Sequence, residues 1–139
     1  MKIADLDTFT RHYLIAALWS TNDESTEAGG EPMDKNYSLE DIAPQAVQKA
    51  YDDCLHFQIN CAHYLKRAYQ IYTDSGLAAH PDAGSPEACA GHDFWLTRNG
   101  HGVGFWDRGM GQVGDDLTRA CGTYGEVNLY VGDNGKIYS

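Results

Sequence analysis

The sequence predicts an α+β domain in which an N-terminal helix and one long helix pack on an antiparallel sheet of about four strands, contributed by two hairpins. Three observations carry this expectation. Apolar residues recur at spacings of three and four over residues 8–20 and again over residues 44–72. From Asp93 to Arg98 the chain separates into two interleaved sets, Phe94, Leu96 and Arg98 against Asp93, Trp95 and Thr97, as a strand apolar on both faces would. Asn99-Gly100 follows, a pair that readily supplies the positive φ angles of a tight hairpin turn.

In chain order, Leu6, Phe9, Tyr13 and Ala16 or Ala17 mark the seam of the first helix, residues 8–20, with Asp7 or Thr8 as its N-cap. Leu14, Ile15, Leu18 and Trp19 widen its buried face. Residues 21–36 are rich in acids, Ser, Thr and Gly and poor in apolar side chains, which reads as a mobile acidic loop carrying Asp23, Glu24, Glu27, Glu31 and Asp34. Ser38 and Asp41 have capping-box spacing, and Pro44 suits the first position of a new helix. From there Val47, Tyr51, Cys54, Gln58, Cys61, Leu65, Ala68 and Tyr72 step by four and three, predicting a single helix of about 28 residues, roughly 42 Å long. Asp74 to Gly91 reads as a loop. The first hairpin then runs from Asp93 to Asp107, with Phe94, Trp95, Phe105 and Trp106 as core anchors and with Trp95 filling the gap left by Gly104. Asp115 caps a short helix, Asp116 to Cys121, ended by Gly122. A second hairpin pairs Val127–Val131 with Lys136–Tyr138.

At 139 residues the chain reads as one domain, able to bury roughly 65 to 70% of its unfolded surface. A hydrophobic content of 42%, with nine tyrosines, is that of a folded protein. No apolar run has the length of a membrane span and the first residues lack a signal-peptide pattern, so a cytoplasmic location is expected. Four cysteines, Cys54, Cys61, Cys89 and Cys121, have neither disulfide-scaffold nor zinc spacing. His56, Asn60 and His63 share a helical stripe without the HExxH pattern, so no metal or cofactor is expected. Twenty acids against ten bases give a formal charge of -10, which opposes direct binding to nucleic acid and favours a basic partner. The N-terminal 53 residues carry eleven of those acids and four of the bases, so the negative field leans that way.

The stretch GHDFWLTRNGHGVGFWDRG and the closing LYVGDNGKIYS resemble a family of small proteins encoded by bacteriophages and prophages. The resemblance covers about the last third of the chain. It implies a phage or mobile-element gene working inside a bacterial host, and it brings no activity and no catalytic residues.

Three functions are consistent with these features. The first is an interaction protein, an antagonist of a host defence complex of the anti-CRISPR or anti-restriction type, acting as monomer or homodimer. It would bind a basic protein or ribonucleoprotein surface through the acidic loop and through Trp95, Arg98, His101, Trp106 and Arg108. The second is a small hydrolase-like enzyme using His92, Asp93, His101, Asp107 and Arg108, though no GxSxG, CxxC or HExxH accompanies them. The third sequesters a nucleotide signal between Trp95, Trp106, Arg98 and Arg108. A binding protein is favoured over an enzyme.

Overall fold

The computed structural model describes residues 1–25, 29–80 and 83–139. Among them the architecture is helical: α1 Thr8–Ser20, α2 Pro44–Asn60, α3 Ala62–Asp74, α4 Pro86–Arg98 and α5 Gln112–Gly122. Two antiparallel ladders of two residues a strand complete it, β1 Asn22–Asp23 with β2 Glu31–Pro32, and β3 Tyr130–Val131 with β4 Ile137–Tyr138. Among the described residues the four-stranded sheet expected from the sequence is not there.

The largest correction falls on the stretch expected to be the first hairpin. Asp93 to Arg98 is the second half of α4, and Phe105–Asp107 is a short 3-10 turn. Both interleaved sets of that stretch contain buried side chains, and a run that is buried on every side has no period to separate strand from helix. The start signals were upstream, inside the supposed loop. Ser85 caps the helix by accepting the Ala88 amide at 3.1 Å, Pro86 occupies the first turn, and Glu87 lies where an acid suits the helix dipole. Asn99-Gly100 ends this helix: Gly100 takes φ 70°, and the amides of Gly100 and His101 return to Thr97 and Leu96 carbonyls. Gly104 does lie against a neighbour, but that neighbour is Thr97, whose hydroxyl accepts the Phe105 amide at 3.1 Å.

The long helix is also corrected. It divides at Cys61, whose φ of -107° and ψ of 18° leave the helical region. The break lets α2 follow α1 while α3 packs on α4 and α5. The buried seam on these helices includes Ala50 and Phe57, whereas Tyr51 is half-buried and Gln58 reaches out to Asp7 at 3.1 Å. Phe57 is the hub of the core. Its ring stacks on Phe94 with centroids 4.1 Å apart and also meets Phe9, Phe105 and Tyr124.

Other expectations hold. Residues 8–20 form α1, and Ser38 and Asp41 form a capping box. The closing hairpin is present with shorter strands, and its Ile137 is buried under Ala43, whose amide donates to the Ile137 carbonyl at 2.7 Å. The short C-terminal helix begins earlier than expected, at Gln112, and ends at Gly122.

Two helices set the position of everything that follows. α1 and α4 touch so closely that Gly91 lies directly on the Phe9 backbone, with no room for a side chain. Both also line a cavity.

Candidate functional site

The cavity bordered by α1 and α4 has a volume of about 560 Å³. α1 contributes His12, Ile15 and Trp19, one stripe at spacings of three and four; α4 contributes Ala88, Cys89, His92 and Asp93. Tyr72 of α3, Leu77, His80 and Ala83 of the following segment, Asp34 and Arg108 close the remaining sides. Ile15 and Trp19, expected to be buried, are instead 38% and 52% exposed on its wall. The Trp19 ring leans on His92 with centroids 5.6 Å apart and planes tilted by 36°.

The polar floor is built around Asp93, a carboxylate only 1% exposed. Arg108 grips it on both oxygens, Nη2 to Oδ1 at 2.9 Å and Nε to Oδ2 at 3.2 Å, and the Tyr72 hydroxyl donates to Oδ2 at 2.6 Å. A charge that deep is stable because it is paired and fully hydrogen-bonded. Burial, then the adjacent carboxylate, pushes the Tyr72 phenol well above its ordinary range, so it stays a donor.

Burial also lowers the pKa of His92, with the Asp93 carboxylate opposing and Arg108 and His12 adding to the effect. His12 is lowered by burial and by Arg11. Both imidazoles are therefore neutral at pH 7, each able to donate at one nitrogen and accept at the other. Cys89 gives its thiol proton to the Leu77 carbonyl at 3.6 Å, and burial, followed by Asp93, raises its pKa. It is a poor nucleophile. The site offers hydrogen-bonding groups and an aromatic wall without an activated attacking atom. No protein-family model, curated protein or solved structure matches this chain.

The residues singled out from the sequence divide. Asp93 and Arg108 form an ion pair at the cavity floor, the carboxylate buried and the guanidinium partly exposed, and His92 lies beside them on the lining. Asp34 also lines the cavity. Arg98 and Trp95 lie elsewhere and serve the core: Arg98 donates to Asp53 at 2.9 Å, to the Tyr13 hydroxyl at 3.0 Å and to the Tyr124 and Gly125 carbonyls at 2.9 Å each. Trp95 donates its indole N–H to Ser20 at 2.7 Å and meets Tyr13 edge-on. Trp106, expected as a core anchor, is 51% exposed and outside the cavity. His101 is half-buried and apart from His92, while Asp107 accepts the Gly104 amide at 2.9 Å. The nucleotide pocket expected between Trp95, Trp106, Arg98 and Arg108 therefore does not assemble.

In the acidic stretch, Asp23 accepts the Ser25 amide at 2.8 Å, Glu31 pairs with Lys35 at 3.0 Å, and Glu24 is exposed; Glu27 lies outside the described residues. Among the described residues, no group of three or more His, Cys, Asp or Glu side chains gathers as metal ligands. No helix of the described residues is long and apolar enough to cross a membrane.

His12, Trp19, Tyr72, His80 and Cys89 are among the site residues that sequence reasoning missed. The signal was present for α1: His12, Ile15 and Trp19 recur at helical spacing on a stripe separate from Phe9 and Tyr13.

Proposed function

We propose that this protein binds a small organic molecule in the cavity between α1, α3 and α4, and that it does so as a phage or mobile-element product inside a bacterial host. One observation carries the reading. A cavity of about 560 Å³, within the ~300 to 1,000 Å³ of typical ligand sites, combines apolar walls with a few converging polar groups. Ile15 and Trp19, two large apolar side chains left exposed, border that same space. A bound ligand would cover them.

The test is a thermal-shift screen of a small-molecule fragment set against the wild type and an Ile15→Trp variant, which fills the cavity from an exposed wall. The expected result is a set of fragments that raise the Tm of the wild type and lose the effect in the filled variant. Stabilisation that is equal in both proteins, or absent from the wild type, rejects the cavity as the site.

A second reading, an antagonist of a host defence complex, is supported by the formal charge of -10 and by the resemblance of the closing stretches to phage proteins. Exposed Glu24, Glu31 and Asp34 would face the basic partner. A pull-down from a bacterial host that retains a nuclease or surveillance complex at low salt and releases it at high salt would support it. Retention of no such complex would reject it.

A further inference from the structure

We infer that the cavity takes a 6-oxopurine, guanine or hypoxanthine as free base or nucleoside, stacked on Trp19 and read by the outer edge of Arg108. The inference rests on the ligand-binding reading of the cavity and adds the chemical class.

Arg108 carries the choice. A guanidinium has two donor edges, and here Nε and one Nη2 proton are spent on Asp93. Among the described residues Nη1 has no hydrogen-bond partner, so the Nη1–Nη2 edge remains as a second fork. A fork of two donors is matched by two neighbouring acceptors in one plane. The O6 and N7 atoms of a 6-oxopurine are such a pair, whereas adenine presents the N6 amino donor beside N7 and uracil alternates its carbonyls with N3–H; cytosine also sets O2 beside N3, but on a single ring with less face to stack on Trp19. Asp93 fixes the guanidinium in orientation, with its own carboxylate too deeply buried to meet the ligand.

Charge argues against phosphorylated forms. Among the described residues Arg108 is the one lysine or arginine that lines the cavity, and Asp93 already neutralises it. Asp34 adds a negative group, and of the three histidines in the lining His12 and His92 are uncharged at pH 7 for the reasons given above. Among the described residues a phosphate would meet no unpaired lysine or arginine there. The remaining walls suit a flat, neutral heterocycle: the half-exposed Trp19 face supports stacking, and neutral His12 and His92 can accept from N1–H.

Isothermal titration with guanosine, inosine, adenosine, uridine, cytidine, guanosine monophosphate, a short guanine-containing oligonucleotide and indole tests the assignment on the unaltered protein. Guanosine and inosine should bind about 5- to 150-fold more tightly than adenosine, the range for one good bidentate pair. The monophosphate should bind more weakly than guanosine at low salt, with the gap closing as salt is added. Arg108→Lys, which keeps the charge and loses the fork, should erase the preference for guanosine. That variant also loosens Asp93 and Tyr72, so its fold is checked by circular dichroism, and the selectivity of the wild type stands without it. Adenosine, uridine or cytidine binding as tightly as guanosine, or the monophosphate or the oligonucleotide binding more tightly, overturns the inference. Indole or fragment binding without any nucleoside also overturns it and leaves the cavity reading intact. No binding by nucleosides, indole or fragments removes both.

Discussion

Gly91→Ala is the sharpest perturbation of the fold that shapes the cavity. A Cβ at this position would overlap the Phe9 carbonyl oxygen and come within 2.9 Å of its carbon and 3.2 Å of its Cα. These are backbone atoms of a helix, which cannot rotate away as a side-chain tip would. Two effects oppose each other. Alanine is the better helix former by about 1 kcal/mol, while overpacking costs about 1 to 3 kcal/mol and more where the obstacle is rigid. The rigid obstacle places this site at or above the upper end, so the net is a loss of about 2 kcal/mol or more. For a chain of this size that lowers Tm by roughly 6 to 8 °C. Thermal melts followed by circular dichroism measure it, with Gly122→Ala, a helical position with no neighbour within 4 Å, as the control. The control should melt at or slightly above the wild type. Gly91→Ala as stable as the wild type would mean that α1 and α4 do not touch at this point, and the cavity beyond the crossing would lose its geometric basis.

Further outcomes follow from the same interactions. Arg98→Met should lower stability by about 3 kcal/mol in urea titrations, because the Tyr124 and Gly125 carbonyls and the Tyr13 hydroxyl lose a buried donor. Asp53→Asn should cost distinctly less, since Arg98 keeps those three acceptors and the Asp53 side chain is 27% exposed to water; equal costs would show that the pair, not the carbonyl set, holds Arg98. All four cysteines are buried free thiols, so native protein should react with a thiol reagent far more slowly than unfolded protein, Cys54 and Cys121 slowest of all. Burial raises the pKa of both; mass-mapped labelling that finds Cys54 first would refute this. Histidines 12 and 92 have folded pKa values below 6.5, so between 6.5 and those lower values the unfolded state holds more protons. Their contribution is present above pH 6.5 and is lost as pH falls through that window, and urea midpoints at pH 7.5, 6.5 and 5.5 should decline, with a shallower decline in His92→Gln. An equal slope in the variant would show that His92 is not buried neutral.

How much was legible in the sequence depended on whether a segment has a polar face. α1, the capping box at Ser38 and the closing hairpin were readable because their local chemistry is consistent with one structure. Phe94 to Arg98 was not, since Trp95, Leu96 and Arg98 are all buried and the period vanishes. Asn99-Gly100 then pointed the wrong way, because a left-handed glycine after asparagine serves a helix end as well as a hairpin. Ser85-Pro86-Glu87, a cap followed by a first-turn proline and an acid, marks the start of α4 more firmly than Asn99-Gly100 marks a turn. The break at Cys61 left no sequence mark beyond Gln58 in the seam, because it answers to the different partners of α2 and α3. Asp93, Arg108 and His92 were grouped with His101 and Asp107 on an expected hairpin that does not form; Asp93 and Arg108 meet all the same, from α4 and from the segment after it. Trp19 and Tyr72 reach the same place from distant helices, which only the packing reveals.

Whether the cavity is the working site is decided most directly by nuclear magnetic resonance of the ¹⁵N-labelled protein, which carries three tryptophans. Titration with indole and with inosine should shift the Trp19 indole N–H signal while Trp95, bonded to Ser20, and Trp106, outside the cavity, stay in place. A Trp19 signal unmoved by both ligands, or a response centred on Trp106, would contradict it.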